Sequence, residues 1–299
     1  MPQNDTILQP FKKHESNPVM GGPELGTCFD VYVTIDNGRY RMDFSWRPKK
    51  SLAVTFSDDG VHWEPPQITL ANDETTGWED IINRNCVIKV DGKYKMWYTG
   101  QARGHSFIGY AESDDGIHFK RVLSEPVLIS ERAWEGFSVM NPCVLYENGK
   151  YRMWYAAGET YEPNVLAYAE SEDGIHWAKS PINPIFTAKA TNIYEQNRVG
   201  GCQVIKTDDM GYVMFYIGYE NIHKAQICAA KSPNGITQWE RSELNPVVCP
   251  TPDSWDSDAC YKPSFLWNEQ TKQWMLWYNG RSGSPEYIGL ALKDGRELF

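Results

Sequence analysis

The chain has 299 residues, with 29 Lys and Arg against 39 Asp and Glu (net charge −10), and is 41% hydrophobic and 13% aromatic. That length buries one large core or two modest ones. An acidic balance without a basic run disfavours nucleic acid and anionic membrane as partners, and no apolar stretch approaches the roughly 20 residues of a membrane span.

Residues 1–16 contain no apolar run of signal-peptide type, so a cytoplasmic location is expected. PFKKHESNPVM then resembles QWERSELNPVV much later in the chain: Phe11 matches Trp239, and Asn17-Pro18 match Asn245-Pro246. Next comes the first of a series of similar units. Each has a short apolar run (CFDVYV, CVIKV, CVLYE, QVIKT, SFLWN) and then an alternating phrase (GRYRMDFS, GKYKMWYTG, GKYRMWYAAG, MGYVMFYIG, KQWMLWYNG). Its methionines are Met42, Met96, Met153, Met214 and Met275, at near-equal spacing. A second alternating run follows (LAVTFS, IGYAES, VLAYAES, QICAAKS, IGLALK). In the first four units a turn (SDDG, SDDG, SEDG, SPNG) leads to Trp63, Phe119, Trp177 or Trp239.

Period-two alternation means strands, and Gly/Asp/Asn turns join them into four-stranded sheets. Units of this length repeated radially predict an all-β, five-bladed β-propeller spanning 1–299 as a single domain. The blades are expected near 19–68, 69–128, 129–187, 188–248 and 249–299 plus 8–18. The last unit stops after its third strand, so the N-terminal strand is expected to complete it and remove its open edge.

Seven cysteines are scattered singly, with no CxxC or His/Cys cluster, and read as buried free thiols. No nucleotide motif is present, and no cofactor and no metal are expected. His62, His118 and His176 recur at one position of the hairpin turns and read as structural, as does His14. His105 and His223 fall in loops between second and third strands, at the end of a propeller where the first strands begin and functional groups gather. Glu24, Glu79, Glu135, Glu195 and Asp256 precede successive first strands, which suits a repeated structural bond.

What differs between units is more informative. Aligned on the apolar runs, the first strands begin at Asp30, Asn85, Asn141, Cys202 and Lys262, which predicts unlike polar groups around one axial pocket and hence a polar ligand. Arg84, Arg198 and Asp258 lie nearby, and the second strands end at Trp46-Arg47, Gln101, Glu159, Glu220 and Arg281. Asp43 stands where other units carry Trp97, Trp154, Phe215 and Leu276, and a carboxylate between packed sheets needs a partner.

The NPV segment, the DG(K/R)Y-x-M-x-Y phrases and the YAESDDGIHW hairpins resemble the five-bladed propeller glycosidases: arabinanases, β-xylosidases, invertases and levansucrases, with mannoside phosphorylases as relatives. The resemblance implies that Asp30 is the base or nucleophile. Where the family carries its second acid, this chain has Arg84-Asn85-Cys86. Where it carries its general-acid Glu before Pro, this chain has Met140-Asn141-Pro142.

Glycoside hydrolysis needs a proton donor and a base or nucleophile, and Glu159 and Glu220 are the expected acids. Trp46, Arg84, Asn85, Asn141, Arg198, His223, Lys262 and Arg281 are the expected substrate-binding residues. The reading is a glycoside hydrolase acting on a small carbohydrate, an oligosaccharide with an acidic or furanose sugar among the candidates. The cations also fit a phosphate-dependent phosphorylase, and the missing acids fit a non-catalytic sugar-binding propeller.

Overall fold

The computed structural model describes residues 10–159 and 161–299. It is all-β, and its strands run as consecutive antiparallel meanders. β1 (Lys12–Lys13) precedes β2 (Cys28–Asp36), β3 (Arg39–Trp46), β4 (Ser51–Ser57) and β5 (Gln67–Ala71), which pair in that order. β6 (Ile81–Val90), β7 (Lys93–Ala102), β8 (His105–Ser113) and β9 (Lys120–Arg121) follow. Then come β10 (Ser138–Glu147), β11 (Lys150–Glu159) and β12 (Glu162–Ser171), with β13 (Ala178–Lys179) and β14 (Phe186–Thr187) both on β12. β15 (Arg198–Thr207), β16 (Gly211–Tyr219), β17 (Ala225–Ser232) and β18 (Glu240–Arg241) form the next, and β19 (Ala259–Asn268), β20 (Gln273–Arg281) and β21 (Glu286–Asp294) the last.

β1 pairs antiparallel with β21, Lys12 opposite Leu292 and Lys13 opposite Ala291. The first strands β2, β6, β10, β15 and β19 each lie against the next, and β19 lies against β2. The molecule is therefore circular around these strands.

Alternation explains the packing. In β7, Met96 and Tyr98 join Leu52 and Leu70 on one face, while Trp97 joins Tyr151 and Met153 on the other. Both faces are buried between neighbouring sheets. The indole N–H groups of Trp97, Trp154 and Trp277 donate to the turn carbonyls of Gly174, Gly235 and Gly60, at 2.7–2.9 Å. Trp277, rather than Leu276, is thus the counterpart of Trp97.

The first meander has Asp43 at this position. Its carboxylate takes a bidentate bond from Arg41 (2.7 Å each), and Arg41 Nη2 donates to the Gly116 carbonyl. An ion pair makes the bridge that three other meanders make with an indole.

The repeated acids are structural as well. Glu79, Glu135, Glu195 and Asp256 each accept from a tyrosine on the second strand (Tyr98, Tyr155, Tyr216, Tyr278) and pair with a cation (Arg121, Lys179, Arg241, Lys13). The first meander has Phe44 instead of the tyrosine, and Glu24 is exposed. In the hairpin turns, Asp59, Asp115 and Asp173 accept the N–H groups of the residues two and three positions further on, and their second oxygens contact Nδ1 of His62, His118 and His176 at 2.7–2.8 Å. These turns close the ends of strands that begin near the site, so they lie at the opposite end of the molecule.

Candidate active site

Each first strand is interrupted near its start by a bulge, between Phe29 and Tyr32, Asn83 and Cys86, Met140 and Cys143, Gly200 and Cys202, and Tyr261 and Ser264. A bulge adds a residue to one strand and re-aims its side chain. The leading bulge residues Asp30, Arg84, Asn141 and Lys262 have φ of 57°, 56°, 55° and 49°, a region that costs a non-glycine residue about 1–3 kcal/mol. All four line one small cavity of about 30 Å³.

Gly201 occupies the remaining bulge. A Cβ there would lie 2.8 Å from Asn141 Cγ. The sequence alignment on apolar runs therefore slips by one in two strands: Arg84, not Asn85, and Gly201, not Cys202, share the station of Asp30. Asn85 is fully buried outside the cavity lining, and Cys202 packs in the core.

The small cavity shares Asp30, Arg84, Glu162, Tyr219 and Tyr261 with a larger one of about 530 Å³. Asp30 is 2% exposed. Its Oδ2 accepts from Ser45 Oγ at 3.3 Å, Ser45 Oγ accepts from the Arg84 backbone N–H at 3.1 Å, and Arg84 Nε stands 3.9 Å from Asp30 Oδ1.

Two further carboxylates line the larger cavity. Glu162 accepts from the Tyr219 hydroxyl at 3.1 Å, and Glu286 accepts from Arg47 Nη2 at 2.7 Å. Burial lifts the Glu286 carboxyl above its ordinary range, and the Asp30 charge adds to this; Arg47 and a hydrogen bond from Tyr261 oppose the rise without cancelling it. Burial, then the Glu286 and Asp30 charges, push the Tyr261 phenol far up, so it stays a donor.

Among the expected residues, Asp30, Trp46, Arg84 and Arg281 line the larger cavity, and Asn141 and Lys262 the smaller. Lys262 is 2% exposed and has no hydrogen-bond or ion-pair partner within 4.0 Å among the described residues.

Glu159, Glu220, Arg198 and His223 are not brought to either lining. Glu159 is exposed at the end of β11, where its N–H donates to Asn164. Glu220 pairs with Lys224 at 2.9 Å. Arg198 bonds Asn197, and exposed His223 offers its carbonyl to Arg281. The glutamates that line the cavity are Glu162 and Glu286 rather than Glu159 and Glu220. The missed signal is position: Ser51, Glu162, Ala225 and Glu286 are the first residues of third strands and all line the cavity, whereas the sequence reading looked to the ends of second strands.

No group of three or more His, Cys, Asp or Glu placed to hold a metal ion is found among the described residues. The described residues include no helix long and apolar enough to cross a membrane.

Residues 33–195 and 167–287 match the glycosyl hydrolases family 32 N-terminal domain. The chain belongs to this family. An uncharacterized protein of Mycobacterium tuberculosis (strain H37Rv) is 26% identical over 297 residues, covering 95% of this chain and 93% of the relative. A 1,2-beta-oligomannan phosphorylase of Thermoanaerobacter sp. (strain X514) is 30% identical over 138 residues, 42% of this chain and 44% of the relative.

Among solved structures, one from the GH130 family of mannoside phosphorylases, a family containing glycoside hydrolases that target β-1,2 mannosidic linkages in Candida mannan, superposes with a TM-score of 0.75 at 16% identity. It covers 99% of this chain and 96% of that one. The likeness shows a shared propeller-like fold. Within this glycosyl hydrolase family member, Asp30, Glu162 and Glu286 converge on one cavity.

Proposed function

We propose that the meanders form a five-bladed propeller and that the chain cleaves a glycosidic bond in its axial cavity. The circuit of first strands and the pairing of β1 with β21 support the blade count. The carrying observation for the chemistry is Glu286: a buried carboxyl with an elevated pKa, close enough to Asp30 to feel its charge, in a cavity of a glycosyl hydrolase family member.

Glu286 supplies the proton to the leaving oxygen, because an acid raised above its ordinary range still holds its proton nearer neutrality. Asp30, held by Ser45 and facing Arg84, activates water or attacks the anomeric carbon. Tyr261 donates to Glu286 and orients it. Glu162, with Tyr219, and the bulge side chains Arg84 and Asn141 bond sugar hydroxyls.

A second reading, phosphorolysis, is favoured by Lys262, which is buried without a carboxylate partner and faces the same cavity as Arg84. The partial relative named as a 1,2-beta-oligomannan phosphorylase agrees with it. In both readings the substrate is a small carbohydrate.

The test is turnover of aryl glycosides and natural oligosaccharides with and without phosphate, with product anomers followed by NMR. Phosphate-independent release that disappears in Asp30→Asn supports hydrolysis, and strict phosphate dependence supports phosphorolysis. Sugar binding without turnover under either condition overturns both.

A further inference from the structure

The mouth of the larger cavity differs from its floor. The floor holds the bulge residues and is polar. At the mouth, Ile81, Tyr161 and Ile222 line the same cavity from three different meanders, yet remain 48%, 41% and 52% exposed. Large apolar side chains left in water around a pocket mark a binding surface. Of the cations here, Arg47 pairs with Glu286 and Lys50 with Glu74, while Arg281 donates to the His223 carbonyl and lies over the Tyr261 ring. Ile81 and Ile222 offer a sugar neither a hydrogen bond nor a flat ring to stack on, and the Tyr161 ring packs against an alkyl or aryl group as readily as against a sugar face.

Asp30 belongs to both floor and mouth cavities, while Glu286 belongs only to the larger. With the glycone held in the larger cavity against Asp30 and Arg84, and Glu286 lining the same cavity, the leaving group lies against the apolar collar. We propose that this collar is a subsite for an apolar aglycone, alkyl or aryl, so that the substrate is a glycoside of an apolar alcohol rather than a chain of sugars. The inference rests on the glycosidase reading for its orientation and extends it to the leaving group.

The experiment is calorimetric titration of the whole chain with n-octyl and methyl glucosides and mannosides, the octyl probes kept below micelle-forming concentrations. The two alcohols have similar leaving-group chemistry, so the comparison isolates apolar contact. Octyl glycosides should bind about tenfold more tightly than methyl. Ile81→Ser and Ile222→Ser should each lower the octyl-to-methyl ratio about threefold. Ile35→Ser, at an exposed position outside the cavity lining, should leave the ratio unchanged.

A ratio near one, no binding of either octyl glycoside, or collar variants behaving like Ile35→Ser overturns the inference. The outcomes separate it from the proposed activity. Octyl preference without turnover of any glycoside retains the collar and removes the enzyme; turnover without octyl preference does the reverse.

Discussion

At the scale of single residues, the proposed chemistry turns on two carboxyls held differently. Asp30 sits on a strained bulge between Ser45 and Arg84, whereas Glu286 is lifted by burial and opposed by Arg47. Asp30→Asn and Glu286→Gln should each lower kcat/KM on a natural glycoside by about 10²–10⁴-fold, the usual worth of a positioned proton-transfer group; steady-state kinetics on folded variants checks this. In the proposed reaction the working form of Glu286 is protonated. It is present below its pKa and lost as pH rises through it, so the alkaline limb of kcat/KM should fall above the ordinary glutamate value of about 4.3. Arg47→Met removes the charge that opposes the rise, so this limb should move to higher pH. A limb that stays put or moves to lower pH contradicts the assignment of Glu286. Asp30 was legible because a carboxylate opening a first strand is unlike its neighbours. Glu286 was not, because RSGSPEY reads as a loop and only the hairpin register makes its glutamate the first residue of β21.

At the scale of elements, one bridge is built in two chemistries. Three meanders use an indole against a turn carbonyl, and the first uses Arg41 with Asp43. Removing one member of a buried pair strands the other charge, so Arg41→Met should cost about 3–5 kcal/mol. Trp97→Phe, which loses one hydrogen bond from a packed ring, should cost about 1 kcal/mol for the bond plus a packing term. Denaturant midpoints of the two variants test the order, and equal losses would contradict the bridge. Glu112 gives the acid side. Burial pushes it up, but hydrogen bonds from Tyr110, Lys95 and Lys93 hold it down at about 2. A depressed carboxyl contributes stability that is present above its unfolded value and lost as pH falls toward 2. Glu112→Gln should therefore flatten the loss of stability between about pH 4 and pH 2. The alternation of apolar residues was enough to locate these strands. The bulges were not visible, because an extra residue changes which side chain faces the axis without altering the composition of the run, and so Asn85 and Cys202 were placed where Arg84 and Gly201 stand.

At the scale of the molecule, the first and last strands meet in one sheet. β21 would present an open edge beside β20 if β1 did not pair with it. The N-terminal segment contributes more than two ladder positions. Phe11 is 1% exposed and packs edge-on against Phe215 of another meander. Lys13 pairs with the buried Asp256, and the Asn17 side chain bonds both N–H and C=O of Leu290. The likeness of PFKKHESNPVM to QWERSELNPVV makes this placement readable in the sequence, since Phe11 and Trp239 open equivalent segments. Phe11→Ala should cost about 3–5 kcal/mol through the cavity it leaves. Removing residues 1–18 should cost more than that: the edge of β21 is exposed, Asp256 loses its cation, and the Phe11 site is emptied together with them. An unpaired edge invites pairing with another chain, so the shortened protein should associate as well as melt earlier. Thermal unfolding together with light scattering reads both effects. A truncated chain that stays monomeric with an unchanged melting temperature would mean that the circle is held by its first strands alone and that the N-terminal strand only decorates it.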